Sequence, residues 1–252
     1  MNAAFSLAGK RILVTGANTG IGQGIAVSIA RAGGAVVGVG RSAMDDTARK
    51  VAAAGGTFVA VAADLADPAA AASMLDGVWD ENGPLDGLVN NAGIIRRADA
   101  VELTDADWDE VMDINLKTVF FLCQSFARRV LAGGRTGKIV NIASVLSFQG
   151  GIRVASYTAS KHGVVGITRL LACEWAPKGI NVNGIAPGYI ETNNTEALRA
   201  DPDRSASILS RIPAGRWGAP EDIGDAAVFL LAPASNYMHG AVMPVDGGWL
   251  AR

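Results

Sequence analysis

The sequence predicts an α/β fold, a doubly wound sheet of seven parallel strands with helices on both faces. Three observations carry this. Short β-branched runs alternate with longer alanine-rich stretches of helical period, the strands are apolar throughout, and the polar clusters fall where strands end. Residues 11–15 read as the first strand, and 22–32 as a helix behind a glycine turn. Strand two is 35–39 with a helix over 45–54, and strand three is 57–62 with a helix over 69–79. Strand four is 87–90, and one long helix is expected over 105–131 with Thr104 as its N-cap. Strand five at 138–142 precedes a helix over 157–175, which Pro177 and Gly179 stop. Strand six covers 180–185. A helix over 220–231 opens with Glu221 and Asp222, acids that suit a helix N-terminus, and strand seven is 242–245. The segment 187–220, rich in Asn, Arg and Asp, reads as a lid or binding loop, or else as disorder. One domain over 1–252 is expected, with a flexible substrate loop at about 188–220.

With 252 residues, 50% of them hydrophobic and 18% charged, the chain can bury a large core. A net charge of −2 offers no basic surface for nucleic acid or anionic lipid, so neither is expected as a partner. Residues 1–10 lack the features of a signal peptide, and no apolar run reaches membrane-spanning length. A soluble cytoplasmic protein acting on a small molecule is the expectation. Cys123 and Cys173 lie in apolar, helical stretches and read as small buried packing residues in a reducing compartment. His162 and His239, the only histidines, have no metal-ligand spacing to the cysteines, so no metal is expected.

Chemistry concentrates in Ser156-Tyr157-Thr158-Ala159-Ser160-Lys161, with Ser144 upstream. On a helix, a spacing of four puts Tyr157 and Lys161 on one face, the ammonium near the phenol. A free tyrosine, with a pKa near ~10, needs such a cation to work as an acid-base group. Taken alone, the pair reads more readily as an ordinary Tyr and Lys on a helix surface, because chance matches to this spacing are common. Behind the first strand, Thr15-Gly16-Ala17-Asn18-Thr19-Gly20-Ile21-Gly22 places three glycines in a turn that opens into a helix, a cradle for a dinucleotide pyrophosphate. Strand two ends Val39-Gly40-Arg41-Ser42 without an acid, so Arg41 and Ser42 suit a ribose 2′-phosphate and favour NADP(H) over NAD(H), unless Arg41 is merely solvated. Asp64-Leu65 follows strand three, where a carboxylate meets an adenine amino group. Asn90-Asn91-Ala92-Gly93 follows strand four, where small residues let the chain pass close to a cofactor.

Together, the glycine turn, Asn90-Asn91-Ala92-Gly93, Asn115, Ser144, Tyr157-x-x-x-Lys161 and Pro187-Gly188 resemble the short-chain dehydrogenase/reductase family, in order and over nearly the whole chain. The resemblance implies a Rossmann-like fold and an NAD(P)-dependent oxidoreductase. It implies Tyr157 as catalytic acid-base, Lys161 lowering its pKa and binding the nicotinamide ribose, Ser144 orienting the carbonyl, and Asn115 holding a water of the proton relay. It places the cofactor on Gly16, Asn18, Thr19, Gly20, Ile21, Gly22, Arg41, Ser42, Asp64, Leu65, Asn91, Ala92, Gly93, Tyr157, Lys161, Pro187, Gly188, Ile190 and Thr192. Segments outside that core, including 92–97, 147–153, 188–195, 211–218 and 246–252, resemble the family's sugar-acid dehydrogenases of uronate breakdown. That implies a substrate site of Arg96 (or Arg97), Ser144, Leu146, Gln149, Arg153, Tyr157 and Asn194. Each arginine could instead form a surface or interface ion pair. An arginine at position 41 departs from the NAD preference of that group. A 3-oxoacyl-thioester reductase is the alternative within the fold, and a non-catalytic dinucleotide-binding regulator the alternative outside catalysis. A homotetramer is implied, with the apolar Trp249-Leu250 ending as a buried subunit contact.

Overall fold

A computed structural model describes residues 2–252. Its seven strands, β1 (Arg11–Thr15), β2 (Ala35–Gly40), β3 (Phe58–Ala62), β4 (Gly87–Asn90), β5 (Gly137–Ile142), β6 (Ile180–Pro187) and β7 (Val242–Val245), form one sheet in the order β3-β2-β1-β4-β5-β6-β7. All pairings are parallel, with Leu13 opposite Val37 on one side and Leu88 on the other. The winding reverses between β1 and β4. The connections after these two strands leave in opposite directions and open a crevice at the carboxyl end of the sheet.

Alternation along the strands supplies both cores. Ile12, Val14, Val36, Val140 and Ile185 face α1 (Gly20–Arg31) and a late helix over Pro220–Leu231, through Ile25, Ile29, Ile223 and Leu230. Leu13, Val37, Leu88, Ile139 and Val182 face the other layer. α2 (Asp45–Ala53) packs beside α1 through Val51, whereas this other layer holds α3 (Pro68–Asn82), α4 (Asp105–Met112), α5 (Thr118–Ala132) and α6 (Ala155–Trp175), with Leu75, Leu122, Phe126 and Leu171 filling the interface. β4 and β6 are buried along their whole length, as strands covered on both faces must be. β7 carries Pro244, which the sheet tolerates at an edge.

Four expectations change. The long helix over 105–131 is interrupted by a π-helical turn, Asp113–Lys117, which separates α4 from α5. Its cause is Asn115, whose amide bonds both backbone groups of Ile94 and draws one extra residue into the turn. The 187–220 insertion holds two short helices, α7 (Glu196–Ala200) and α8 (Pro202–Leu209), before α9 (Pro220–Leu231). Ile208 and Ile212 seat this insertion on Trp217, Trp249 and Val145. Trp249 is therefore buried by its own chain, with Tyr189 at 4.7 Å between ring centroids and the Arg211 guanidinium at 4.0 Å from its ring. Its burial needs no second subunit. Cys123 is buried as expected, but Cys173 is exposed, because α6 turns that residue away from the sheet.

Lys138, at the opposite end of the sheet from the crevice, donates to the Ala232 carbonyl at the end of α9 at 2.9 Å and to Ser235 Oγ at 3.0 Å. The cation sits where the helix dipole favours it, yet burial lowers its pKa from 10.5 to about 8. Between those values the unfolded chain binds more protons than the folded one, so this group makes stability rise with pH. Denaturant unfolding from pH 7.5 to 9 is expected to show a shallower rise in Lys138→Met than in the parent; identical slopes would contradict the assignment.

Candidate active site

The crevice between β1 and β4 is a cleft of about 500 Å³. It is built on a clasp. Thr15 Oγ1 accepts hydrogen bonds from the N–H groups of Asn91 and Ala92, each at 3.0 Å. Asn91 Nδ2 returns one to the Thr15 carbonyl at 2.9 Å and one to that of Gly16 at 3.3 Å. The glycine turn is thereby pressed against the 91–93 segment. A Cβ on Gly22 would overlap the Gly16 carbonyl oxygen and lie 2.5 Å from Asn91 Nδ2, which is why no larger residue stands there. Gly16 and Gly20 adopt φ +65 and +55, the left-handed region that glycine enters without a Cβ penalty. Thr19 caps α1 with no side-chain hydrogen bond, so the first-turn N–H groups of α1 keep their capacity for an anion.

At one end of the cleft, Asn18 Nδ2 donates to Ser42 Oγ at 2.8 Å, tying the glycine turn to the end of β2. Arg41 beside them is exposed and makes no ion pair among the described residues. Asp64 and Leu65 line the same end. Gly93, Tyr157, Lys161, Pro187, Gly188, Ile190 and Thr192 line the other, while Gly22 lies behind the wall and shapes it. Ile94, Ile142, Ala143, Asn193 and Thr195 also line the cleft. The sequence reading left out the first three because apolar residues beside strands look like core, and the last two because the insertion carrying them has no strong period.

Ser144 begins a short 3-10 turn after β5, and its Oγ accepts from the Leu146 N–H at 3.1 Å. That bond occupies an oxygen lone pair and leaves the hydroxyl proton free to donate. Tyr157 and Lys161 lie one turn apart on α6, with Lys161 Nζ 5.6 Å from the centre of the tyrosine ring. The Lys161 ammonium is buried and donates to the Ile142 carbonyl at 2.7 Å; burial lowers its pKa from 10.5 to about 8. Burial also raises the Tyr157 phenol above its usual 10, against the opposing pull of a hydrogen bond with Ser144 and the positive charge of Arg97. At neutral pH the phenol holds its proton. Asn115, fully buried, accepts from the Ile94 N–H and donates to the Ile94 carbonyl, both at 2.9 Å, and reaches Ser160 Oγ at 3.3 Å. It thus joins the segment after β4 to the helix that carries Tyr157.

The arginines separate. Arg96 is engaged by Glu110, its Nε and Nη2 each donating to a carboxylate oxygen at 2.9 Å, whereas Arg97 is exposed and its charge acts on Tyr157. Arg153 pairs with Asp99 at 3.1 Å and has φ +63, the one positive φ of a non-glycine residue among those described. Asn194 lines the cleft; Leu146, Gln149, Arg153 and Arg96 lie outside its wall.

The family model described as enoyl-(acyl carrier protein) reductase matches residues 16–250. A 2-dehydro-3-deoxy-D-gluconate 5-dehydrogenase from Dickeya dadantii is 56% identical over 248 residues, 98% of each chain. The chain belongs to the short-chain dehydrogenase/reductase family. As a member it is an NAD(P)-dependent oxidoreductase acting on CH–OH groups. Among solved structures, a protein described as a 2-deoxy-D-gluconate 3-dehydrogenase from Agrobacterium tumefaciens, with bound NADP, is 63% identical at a TM-score of 0.95, covering 100% of both chains. A gluconate 5-dehydrogenase from Burkholderia cenocepacia J2315, in complex with NADP and tartrate, is 38% identical at a TM-score of 0.93, covering 99% of this chain and 98% of that one.

The residues of this short-chain dehydrogenase fit a nicotinamide dinucleotide: the glycine turn and the start of α1 suit a pyrophosphate, and the small Gly93 leaves room beside Lys161. Gly22→Ala is expected to lower NADP affinity by more than about 100-fold, or to prevent folding, because the added methyl meets backbone on a rigid turn. Gly77→Ala, where a Cβ meets nothing within 4 Å, is the control and should bind as the parent does. Fluorescence titration of the cofactor checks both.

Proposed function

We propose that the protein interconverts a hydroxyl and a ketone on a sugar acid, 2-dehydro-3-deoxy-D-gluconate or 2-deoxy-D-gluconate, using NADP(H) in preference to NAD(H). One observation carries the reading. Tyr157, which burial keeps protonated, lines the dinucleotide cleft together with Ser144, within the field of Arg97, a cation that no carboxylate of the chain occupies among the described residues. A ketone that also bears a carboxylate suits that pairing. The substrates named for the full-length relatives supply its identity.

A bound nicotinamide dinucleotide supplies or receives the hydride. In reduction the ketone oxygen accepts hydrogen bonds from Ser144 Oγ and Tyr157 Oη. As negative charge builds on that oxygen, Tyr157 passes its proton across, and the Lys161 ammonium, held by the Ile142 carbonyl, offsets the charge left on the phenolate. Oxidation runs the same steps backward and starts from the phenolate. Asn115 holds the start of the 94–97 segment against α6 and so keeps Arg97 near the reacting oxygen. Asn194, which lines the cleft, is assigned to the substrate's hydroxyls, whereas Gln149 and Arg153 lie outside the cleft wall and Arg153 pairs with Asp99. Arg96 is instead committed to Glu110, so Arg97 takes the role considered for either.

The unpaired Arg41, with Asn18 and Ser42, forms the 2′-phosphate end and supports NADP(H). We place the protein in the cytoplasm as a homotetramer of single 1–252 domains, with the 188–220 segment closing over substrate. The exposed Leu170 and Ile152 support the assembly, and a monomer by light scattering would discard it.

Tyr157→Phe is expected to lower turnover by at least about 10³-fold with NADP affinity retained; substantial residual activity on sugar acids would refute the mechanism. Because the folded phenol titrates above its usual value, the oxidation rate should climb with pH above neutrality while the reduction rate stays level or declines. Arg41→Asp should shift the ratio of NADP to NAD affinity by about 10-fold or more toward NAD, and an unchanged NADP preference would sink that assignment. A panel of sugar acids and a 3-oxoacyl thioester, each with both cofactors, tests the substrate.

A further inference from the structure

The catalytic groups come from separate pieces of chain: Ser144 from the turn after β5, Tyr157 and Lys161 from α6. Something must hold these pieces at hydrogen-bond distance from one shared oxygen. Ser147 ends the 3-10 turn that Ser144 begins, and it is buried, with 5% of its surface exposed. Its Oγ accepts from the Ser144 N–H at 3.3 Å and donates to the Lys161 carbonyl at 2.7 Å. One hydroxyl therefore joins the backbone of the carbonyl-orienting residue to the backbone of the residue supplying the ammonium. Among the described residues it makes the one hydrogen bond from the Val145–Ser147 turn to α6. Lys161 is in turn tied by its side chain to Ile142, two residues before Ser144. The two bonds close a loop around the reacting atoms: β5 to Lys161 Nζ, Lys161 carbonyl to Ser147, Ser147 to Ser144.

We propose that Ser147 is a positioning residue of the hydride-transfer site, its hydroxyl setting the separation between Ser144 and the Tyr157–Lys161 helix. The inference rests on the acid-base reading of those three residues. Ser147 touches neither the dinucleotide cleft nor the glycine turn, so its loss acts on geometry at the reacting oxygen rather than on cofactor binding. A misplacement near 1 Å at such a site lowers rates by about 10²-fold.

Ser147→Ala breaks both bonds, and Ser147→Cys keeps the shape while weakening them. In Ser147→Ala, kcat should fall by about 10- to 100-fold, with NADP affinity and KM within about twofold of the parent. Ser147→Cys should fall between Ala and parent. The Ser144 hydrogen bond pulls the Tyr157 pKa down, so loosening it should also move the alkaline rise of the oxidation rate to higher pH, a readout that simple destabilisation leaves in place. A kcat within about twofold of the parent in Ser147→Ala, or a Ser147→Cys kcat no lower than the parent's, overturns the proposal, whatever happens to the thermal midpoint. So does a parallel loss of NADP affinity and kcat. If Ser147→Ala does not fold, Ser147→Cys is judged by the same two outcomes. The comparison uses whichever alcohol the parent oxidises, so a wrong substrate appears in the parent and a wrong role for Ser147 only in the variants.

Discussion

The structure depends on the clasp across the reversal of the sheet, where Thr15 and Asn91 exchange hydrogen bonds between the ends of β1 and β4. A parallel sheet that winds both ways opens a crevice at that point, and backbone groups lining it would otherwise face a gap. The threonine hydroxyl satisfies two of them. The asparagine amide satisfies two carbonyls, one within the glycine turn. Because the clasp draws the turn onto the 91–93 segment, Gly22 has no room for a side chain and Gly93 stands next to Asn115. The close approach that admits a dinucleotide backbone is therefore a product of strand pairing.

Behind the clasp a buried polar chain carries the same constraint toward the catalytic helix. Asn90 donates to Asn141 at 2.8 Å, Asn141 to Thr168 at 2.9 Å, and Thr168 to the Val164 carbonyl at 2.7 Å. Cys123 sits against Asn90 at 3.2 Å, and burial raises its thiol pKa to about 12, so it stays a neutral partner. Polar groups in so apolar a layer are costly unless paired, and paired ones impose a single arrangement. The chain spans β4, β5 and α6, and gives α6 a defined height over the sheet at Thr168, about three turns along the helix from Tyr157.

Strand positions and the glycine turn were legible in the sequence because both arise from local chemistry: apolar runs of strand length, and glycine where φ turns positive. The π-helical turn at Asp113–Lys117 was not. The hydrophobic pattern over 105–131 is continuous, and the extra residue is imposed by Asn115 reaching a segment twenty-one positions away. Arg96 and Arg97 are indistinguishable as letters. Only the fold brings Glu110 to one and Tyr157 to the other. Trp249 read as a surface awaiting a partner because Arg211, Tyr189 and Trp217, which cover it, come from the insertion whose own helices have no strong period.

Burial moves the two central groups toward an inverted order of titration: the Lys161 ammonium down to about 8, the Tyr157 phenol above its usual value. A lysine placed to favour a phenolate thus loses its own charge before the phenol loses its proton as pH rises. A second cation, Arg97, also favours the phenolate from across the crevice. It stands on the segment that Asn115 holds to α6, adjoining the clasp at Asn91. Spacing on one helix supplies the proton-transfer pair, and part of the field that favours the phenolate comes from across the crevice. The catalytic motif and the strand-end turn are parts of one electrostatic site, and substitutions that loosen the 91–97 segment should act on Tyr157 through charge before they act through contact.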